Sequence, residues 1–414
     1  MKNLIIQYQN NPKELELLYR KNKAAFKQEF NEIYSEIQSN PASEFWHERL
    51  NYESESISWG SFIQWRFVLI ASFIAWVYAK IPAIFSLEED FFYPRNLGFI
   101  ALSFVTAYFA WTKKLPSKTL GIIAAITILA IAYINLLPDN QESDSIILAC
   151  IHLPLLLWAI LGFSFVGGEM NQLSRRLDFL RFNGDAIIMG AVLFISGLLL
   201  SGITIGLFNL IGIKIEQLYM EWIAVFGFSA APLVASHLTQ TNPQLINKVP
   251  PIIAKIFSPL VLVMLVIYLG AFVFSGKDPY NDREFLLLFN MLLIGVMALV
   301  FFAVAESSDE RNKGVGTWVL TALSLVTILL NLIALSAIVF RITEWGITPN
   351  RMAVIGVNIL MLIHLILVSR NLIQTVQGKS QLKEVGLTIV RFLPIYFIWT
   401  ALVVFGFPLV FGFQ

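Results

Sequence analysis

The sequence predicts an all-α integral membrane protein, a polytopic helix bundle of about 11 transmembrane helices with an N-terminal cytoplasmic helical tail. Three observations predict it. Of the 414 residues 57% are hydrophobic and only 14% charged, with a mean hydropathy of +0.70, a balance that marks membrane chains. Apolar stretches of roughly 18 to 25 residues recur from about residue 62 onward, each long enough to cross a hydrocarbon core of about 30 Å as a helix. The first 58 residues form the only sizeable polar segment. Helices are required in the apolar part because lipid cannot satisfy unpaired backbone N–H and C=O groups.

The domain boundary falls between residues 1–58, an amphipathic tail, and 59–414, the transmembrane part. In the tail, Asn11-Pro12 reads as an N-cap followed by proline at the first helical position. Leu15, Leu18, Tyr19, Phe26, Phe30, Ile33 and Ile37 then recur at helical spacing, which predicts one helix of about 26 residues. Asn40-Pro41 repeats the start signal for a shorter helix through Phe45, Trp46 and Leu50. The pair carries one apolar stripe that needs a partner: itself, the membrane part, or a dedicated protein.

Spans are expected near 62–85, 97–112, 119–137, 145–167, 185–211, 218–238, 252–275, 285–306, 316–340, 350–373 and 386–411. Lys and Arg set their orientation, because cytoplasmic connectors retain positive charge. The tail carries seven, the WTKKLPSK connector three (Lys113, Lys114, Lys118) and the next inner connector three (Arg175, Arg176, Arg181), whereas PDNQESDS carries none. The N-terminus is therefore expected in the cytoplasm and the C-terminus in the periplasm of a bacterial inner membrane. With the first apolar run some sixty residues in, that first helix itself is expected to act as the targeting signal. Trp59, Trp65, Trp111, Trp222, Trp318 and Trp345 fall at span ends, as interfacial anchors do. Gly202 and Gly206, with Gly197 and Ser201 beside them, form a GxxxG pattern that predicts close helix packing.

Soluble-enzyme motifs are missing. The sequence lacks a P-loop, HExxH, GxSxG and paired cysteines. Its four histidines share no metal-ligand spacing, and Cys150 is alone inside an apolar run. No cofactor or metal is expected. A net charge of +1 without a long basic run excludes nucleic acid as the expected partner. What remains is polar residues inside spans, which are costly in lipid and face the bundle interior. Asn290, Asn331 and Asn358 lie in three consecutive spans, roughly 9 to 14 Å below the outer boundary at 1.5 Å per residue. They either bond one another as interhelical glue or line a polar cavity. His364 lies about 20 Å into its span, as a packed neutral ring or a proton relay.

The densest polar signal is RITEWGITPNRM, residues 341–352. Thr348-Pro349 is an N-cap with proline at the first helical position, so a span starts there with Arg351 in its first turn. The positive end of a helix dipole disfavours a cation. Arg351 is therefore expected to be held by Glu344, with Arg341 flanking that carboxylate or free for an anion. Two readings stay open: a structural clamp between spans and an anion-binding mouth. The run Trp345-Gly346-Ile347-Thr348-Pro349-Asn350-Arg351 resembles a large bacterial family of polytopic membrane proteins of unknown function, in which a late helix opens with Tyr-Gly-Leu-Thr-x-x-Arg. Trp345 replaces the tyrosine and Ile347 the leucine. The tail stretches ELELLYRKNKAAFKQEF and EFWHERLNYE share the resemblance, which implies an inner-membrane protein and no particular activity.

On these residues the expected function is passage of a small polar or anionic solute by a permease-like bundle without enzyme activity. The alternatives are a non-catalytic scaffold docking a protein partner through the tail, and a lipid-modifying enzyme holding a phosphate head group at Glu344 and the arginines. The lipid bilayer is the one partner all three share.

Overall fold

The structure, a computed structural model, describes residues 2–37, 40–51, 59–210, 214–242, 249–274, 280, 283–307 and 314–414. Residues 211 and 275, at the ends of two expected spans, lie outside the described residues. Regular structure among the described residues is helical throughout. The chain divides into two compact units, Met1–Ser58 and Trp59–Gln414.

The N-terminal unit holds α1 (Lys2–Gln7), α2 (Pro12–Lys21), α3 (Lys23–Ile37) and α4 (Pro41–Asn51). Both start signals operate. The Asn11 side chain accepts from the Glu14 N–H at 3.4 Å, and Asn40 Oδ1 accepts from the Ala42 N–H at 3.0 Å. The expected 26-residue helix is broken instead, at Asn22, which is extended with φ −158° and ψ 94°. A short amide side chain makes asparagine a weak helix former. The break brings Leu15 and Phe26 onto one core with Ile5, Phe30, Ile33, Ile37, Trp46 and Leu50. Most of the apolar stripe thus closes on itself, while Phe45 is exposed. Glu16 ties α2 to α4, accepting from Arg20 at 2.8 Å and pairing with Arg49 at 3.1 Å. The Arg20 bond, with Arg49 behind it, holds the Glu16 carboxyl below its ordinary range.

The second unit contains α5 (Phe62–Ala79), α6 (Ile81–Phe85), α7 (Glu89–Thr112), α8 (Ser117–Leu136), α9 (Asp144–Phe165) and α10 (Leu173–Leu210). It continues through α11 (Glu216–Thr241), α12 (Val249–Phe274), α13 (Arg283–Ser307), α14 (Val315–Trp345), α15 (Pro349–Val376) and α16 (Leu382–Val410). Nine helices among the described residues are long and apolar enough to cross a membrane, against the 11 expected. Of the two expected spans that miss, α7 carries Glu89, Asp90, Arg95 and Asn96 in its first turns. In α12 only Ile256–Ile267 qualifies, as a shorter apolar helix.

The unit is an all-α polytopic bundle with its apolar side chains both inside and out. Val68, Tyr108, Phe109, Leu161, Phe165, Phe179, Phe182 and Leu233 join α5, α7, α9, α10 and α11. A second core of Phe289, Leu293, Val300, Leu323, Leu330, Met361, Val368 and Val385 joins α13 to α16. Outward, Leu199 and Leu200 of α10 are each 64% exposed and Leu129 of α8 68%, a surface fit for lipid and unfit for water. Trp59, Trp111, Trp222, Trp318 and Trp345 are exposed at helix ends, where interfacial anchors belong.

The GxxxG expectation is not met among the described residues: a Cβ built at Gly197, Gly202 or Gly206 meets nothing described within 4 Å. Close approach occurs at Gly184, where a Cβ would fall 2.0 Å from the Phe302 ring, and at Gly356, where it would fall 2.0 Å from Trp399 Cζ2. At both, a side chain larger than hydrogen would force the ring to move.

Candidate functional site

Two polar loci fall on the residues singled out by sequence. The first is the connector between α14 and α15. Helix α14 runs on to Trp345, so Arg341 and Glu344 lie on its last turn and the true connector is Gly346, Ile347 and Thr348. Gly346 has φ 78° and ψ −177°, a region essentially confined to glycine, and it reverses the chain. Thr348 then caps α15, its side chain accepting from the Arg351 N–H at 3.3 Å. The N-cap reading holds.

The expected partner of Arg351 does not. Its Nη1 donates to the Trp345 and Gly346 carbonyls, at 2.7 Å each. Glu344 is exposed and joins no ion pair among the described residues. The physical reason lies in the preceding helix. The last carbonyls of α14 lack intrahelical donors and carry the negative end of its dipole. Arg351 sits at the wrong end of its own helix and the right end of the neighbour's. Trp345 lies between the two arginines, 5.1 Å from Arg341 and 5.8 Å from Arg351, cation over ring.

The second locus is the interior of α13 to α16. Asn358 donates to Asn290 Oδ1 at 2.7 Å, and Asn290 donates back to the Leu286 carbonyl at 2.7 Å. Those two amides bridge α13 and α15 directly. Asn331 does not join them. Because α14 extends to Trp345, Asn331 lies about 21 Å from that end at 1.5 Å per residue, deeper than expected. It is fully buried, and neither pole of its amide has a hydrogen-bond partner among the described residues.

Asn331 has company at that depth. Ser369 of α15 donates to Ser324 of α14 at 2.9 Å, which pins the register of the antiparallel pair. From that pin Asn331 is about 10 Å along α14 and His364 about 7.5 Å along α15, in the same direction. His364 is fully buried, stacked on Phe392 at 4.4 Å and near Phe301 at 4.6 Å, with Nδ1 3.2 Å from the Tyr396 hydroxyl. Tyr396 also reaches Met297 Sδ at 3.7 Å. His364 Nε2 and Asn358 Oδ1 are left without partners. In either tautomer Nε2 is an unsatisfied group, a bare acceptor or a bare donor.

Sequence reading missed Tyr396 and the serine pair. A signal was present. Thr317, Thr321, Ser324 and Asn331 recur at helical spacing on α14, and all are buried. The hydroxyls satisfy themselves on their own helix, Thr321 on the Thr317 carbonyl at 2.8 Å and Ser324 on the Thr321 carbonyl at 2.8 Å. The Asn331 amide finds no such bond. Among the described residues no cluster of His, Cys, Asp and Glu is arranged to hold a metal.

Comparison with family models, with curated proteins and with solved structures returns no match. The chain is a multi-pass helical membrane protein, and its α13 to α16 bundle holds a buried asparagine amide and a buried histidine nitrogen without partners among the described residues.

Proposed function

We propose that the protein is a permease-like membrane protein that passes a small polar species through the α13 to α16 bundle, with Asn331 and His364 as its polar stations. One observation carries the reading. A fully buried asparagine with both amide poles unpartnered stands at the depth of a buried histidine with a free ring nitrogen. Each unsatisfied buried group costs about 1–3 kcal/mol, which a structural bundle avoids by using leucine. A species supplying one donor and one acceptor, such as water or a small polar solute, would satisfy both stations in turn. The close packing of Phe301 and Phe392 around His364 favours a narrow polar species over a bulky one. An anionic solute finds less support, since Nη1 of Arg351 is committed to carbonyls.

The scaffold reading finds less support, because most of the tail stripe packs in its own core, Phe45 excepted. Localisation in a bacterial inner membrane with a cytoplasmic N-terminus, and the family resemblance of the connector, belong to the same proposal. Their support is the lysine and arginine asymmetry and the Trp345-to-Arg351 motif.

The test is solute flux into proteoliposomes carrying the full chain, followed by light scattering for water and glycerol and by an internal dye for protons. Flux above protein-free vesicles is expected, falling about tenfold in Asn331→Leu and His364→Phe. Asn331→Leu is also expected to raise thermal stability in detergent by about 1 kcal/mol, since it removes an unpaired buried amide. A lowered stability with unchanged flux would identify Asn331 as glue and end the proposal.

A further inference from the structure

At the lysine-rich end of the bundle, the start of α5, the end of α7 and the start of α8 enclose a groove of about 500 Å³. This lies within the range of small-molecule sites, about 300–1,000 Å³. Its wall is apolar, from Ile63, Trp111, Leu115 and Leu120, and its rim is polar, from Ser61 and Lys114. Lys114 has φ 53°, the left-handed turn that separates α7 from α8. Lys113 and Lys118 flank it, all three are exposed, and none is in an ion pair among the described residues. Trp111 is stacked on Phe67 at 4.9 Å and 4°, which fixes its ring in the wall. The neighbouring arginines are already engaged: Arg175 pairs with Glu169 at 3.0 Å and Arg181 with Asp178 at 3.4 Å. Lys114 thus supplies a cation at the rim of an apolar crevice beside an interfacial tryptophan, with Lys118 on the next helix and with Lys113 Nζ 5.5 Å over the Phe165 ring.

We propose that this groove binds one anionic phospholipid, its phosphate at Lys114 with Lys113 and Lys118, and the start of an acyl chain along Ile63, Leu115 and Leu120. The chemistry is that of the interface. Lysines attract an anionic head group, tryptophan sits at head-group level, and the crevice takes methylene groups. A soluble phosphate ester matches the rim alone; only a lipid matches rim and wall together. The site does not depend on passage through α13 to α16.

The experiment is native mass spectrometry of the full chain in mild detergent, titrated with phosphatidylglycerol and separately with phosphatidylcholine. One phosphatidylglycerol is expected to be retained at activation energies that strip phosphatidylcholine. Each lysine-to-alanine change should weaken retention about fivefold, whereas the triple Lys→Arg variant should retain the lipid. Lys379→Ala with Lys383→Ala, at the separate junction of α15 and α16, should leave retention unchanged. Equal retention of the two lipids, equal loss from the control variant, or displacement of phosphatidylglycerol by glycerol phosphate would each overturn the proposal. If the triple alanine variant fails to fold, Leu120→Gln tests the wall, with weakened lipid retention expected.

Discussion

The guanidinium of Arg351 belongs by sequence to the first turn of α15 and by electrostatics to the last turn of α14. The same use of arginine recurs. Arg95 donates to the Pro138 carbonyl at 2.8 Å, just past α8. Arg175 donates to the Val166 carbonyl at 3.2 Å, just past α9, and Arg181 to the Ala305 carbonyl at 2.8 Å, near the end of α13. A planar fork of fixed N–H groups suits helix ends whose carbonyls lack intrahelical donors. Arg351→Met is therefore expected to lower thermal stability in detergent by about 1 kcal/mol, with Arg351→Lys in between. Glu344→Gln should stay within about 0.5 kcal/mol of the parent. A Glu344→Gln loss as large as that of Arg351→Met would restore the carboxylate as the partner. Sequence alone exposed the conflict of a cation at a positive helix end; it held no record of which neighbouring helix end would resolve it.

Among the elements, glycine usage separates packed helix faces from open ones. Gly356 brings α15 against the Trp399 ring of α16, and Gly184 brings α10 against Phe302 of α13. Gly197, Gly202 and Gly206 form the more conspicuous motif and meet no described neighbour. A methyl group at Gly356 forces the Trp399 ring aside, so Gly356→Ala is expected to cost about 1–3 kcal/mol. Gly202→Ala should be neutral or stabilising by up to about 1 kcal/mol, because alanine is the better helix former. Thermal unfolding of both variants in one detergent checks the contrast. A Gly202→Ala loss matching that of Gly356→Ala would mean that another surface covers α10. The helices themselves were legible: the caps at Asn11, Asn40 and Thr348 begin helices where their side chains predict. Asn22 was not read as a break, because a single asparagine in a periodic run is tolerated in many helices and broken out only where packing rewards it.

Over the whole molecule, connectivity and charge set the expected topology. With α5 and α7 to α16 all crossing, as the hydropathy reading expects, an odd number of crossings separates Phe62 from Val410. A reporter fused after Gln414 is expected to read the periplasm and one fused at the N-terminus the cytoplasm. A cytoplasmic signal at Gln414 would mean that α7 or α12, the two helices short of the apolar criterion, does not cross. The N-terminal unit shows the limit of stripe reading at this scale. Its apolar face was plain in sequence, and its partner turned out to be the unit's own α1 to α4.

The sequence by itself determined the solvent of this protein and the local course of its chain. Hydropathy over some twenty residues, N-cap chemistry and lysine bias are summed along the chain, so they survive without knowledge of neighbours. Tertiary structure alone decided the contacts: Asn358 on Asn290, Asn331 beside neither, His364 on Tyr396, Arg351 on the carbonyls of another helix. Those depend on the rotation and register of each helix against the next, where one residue turns a side chain by about 100° and shifts it by about 1.5 Å. In lipid, where both faces of a span are apolar, periodicity leaves that rotation nearly unmarked. Side-chain packing and hydrogen bonding between helices settle it instead.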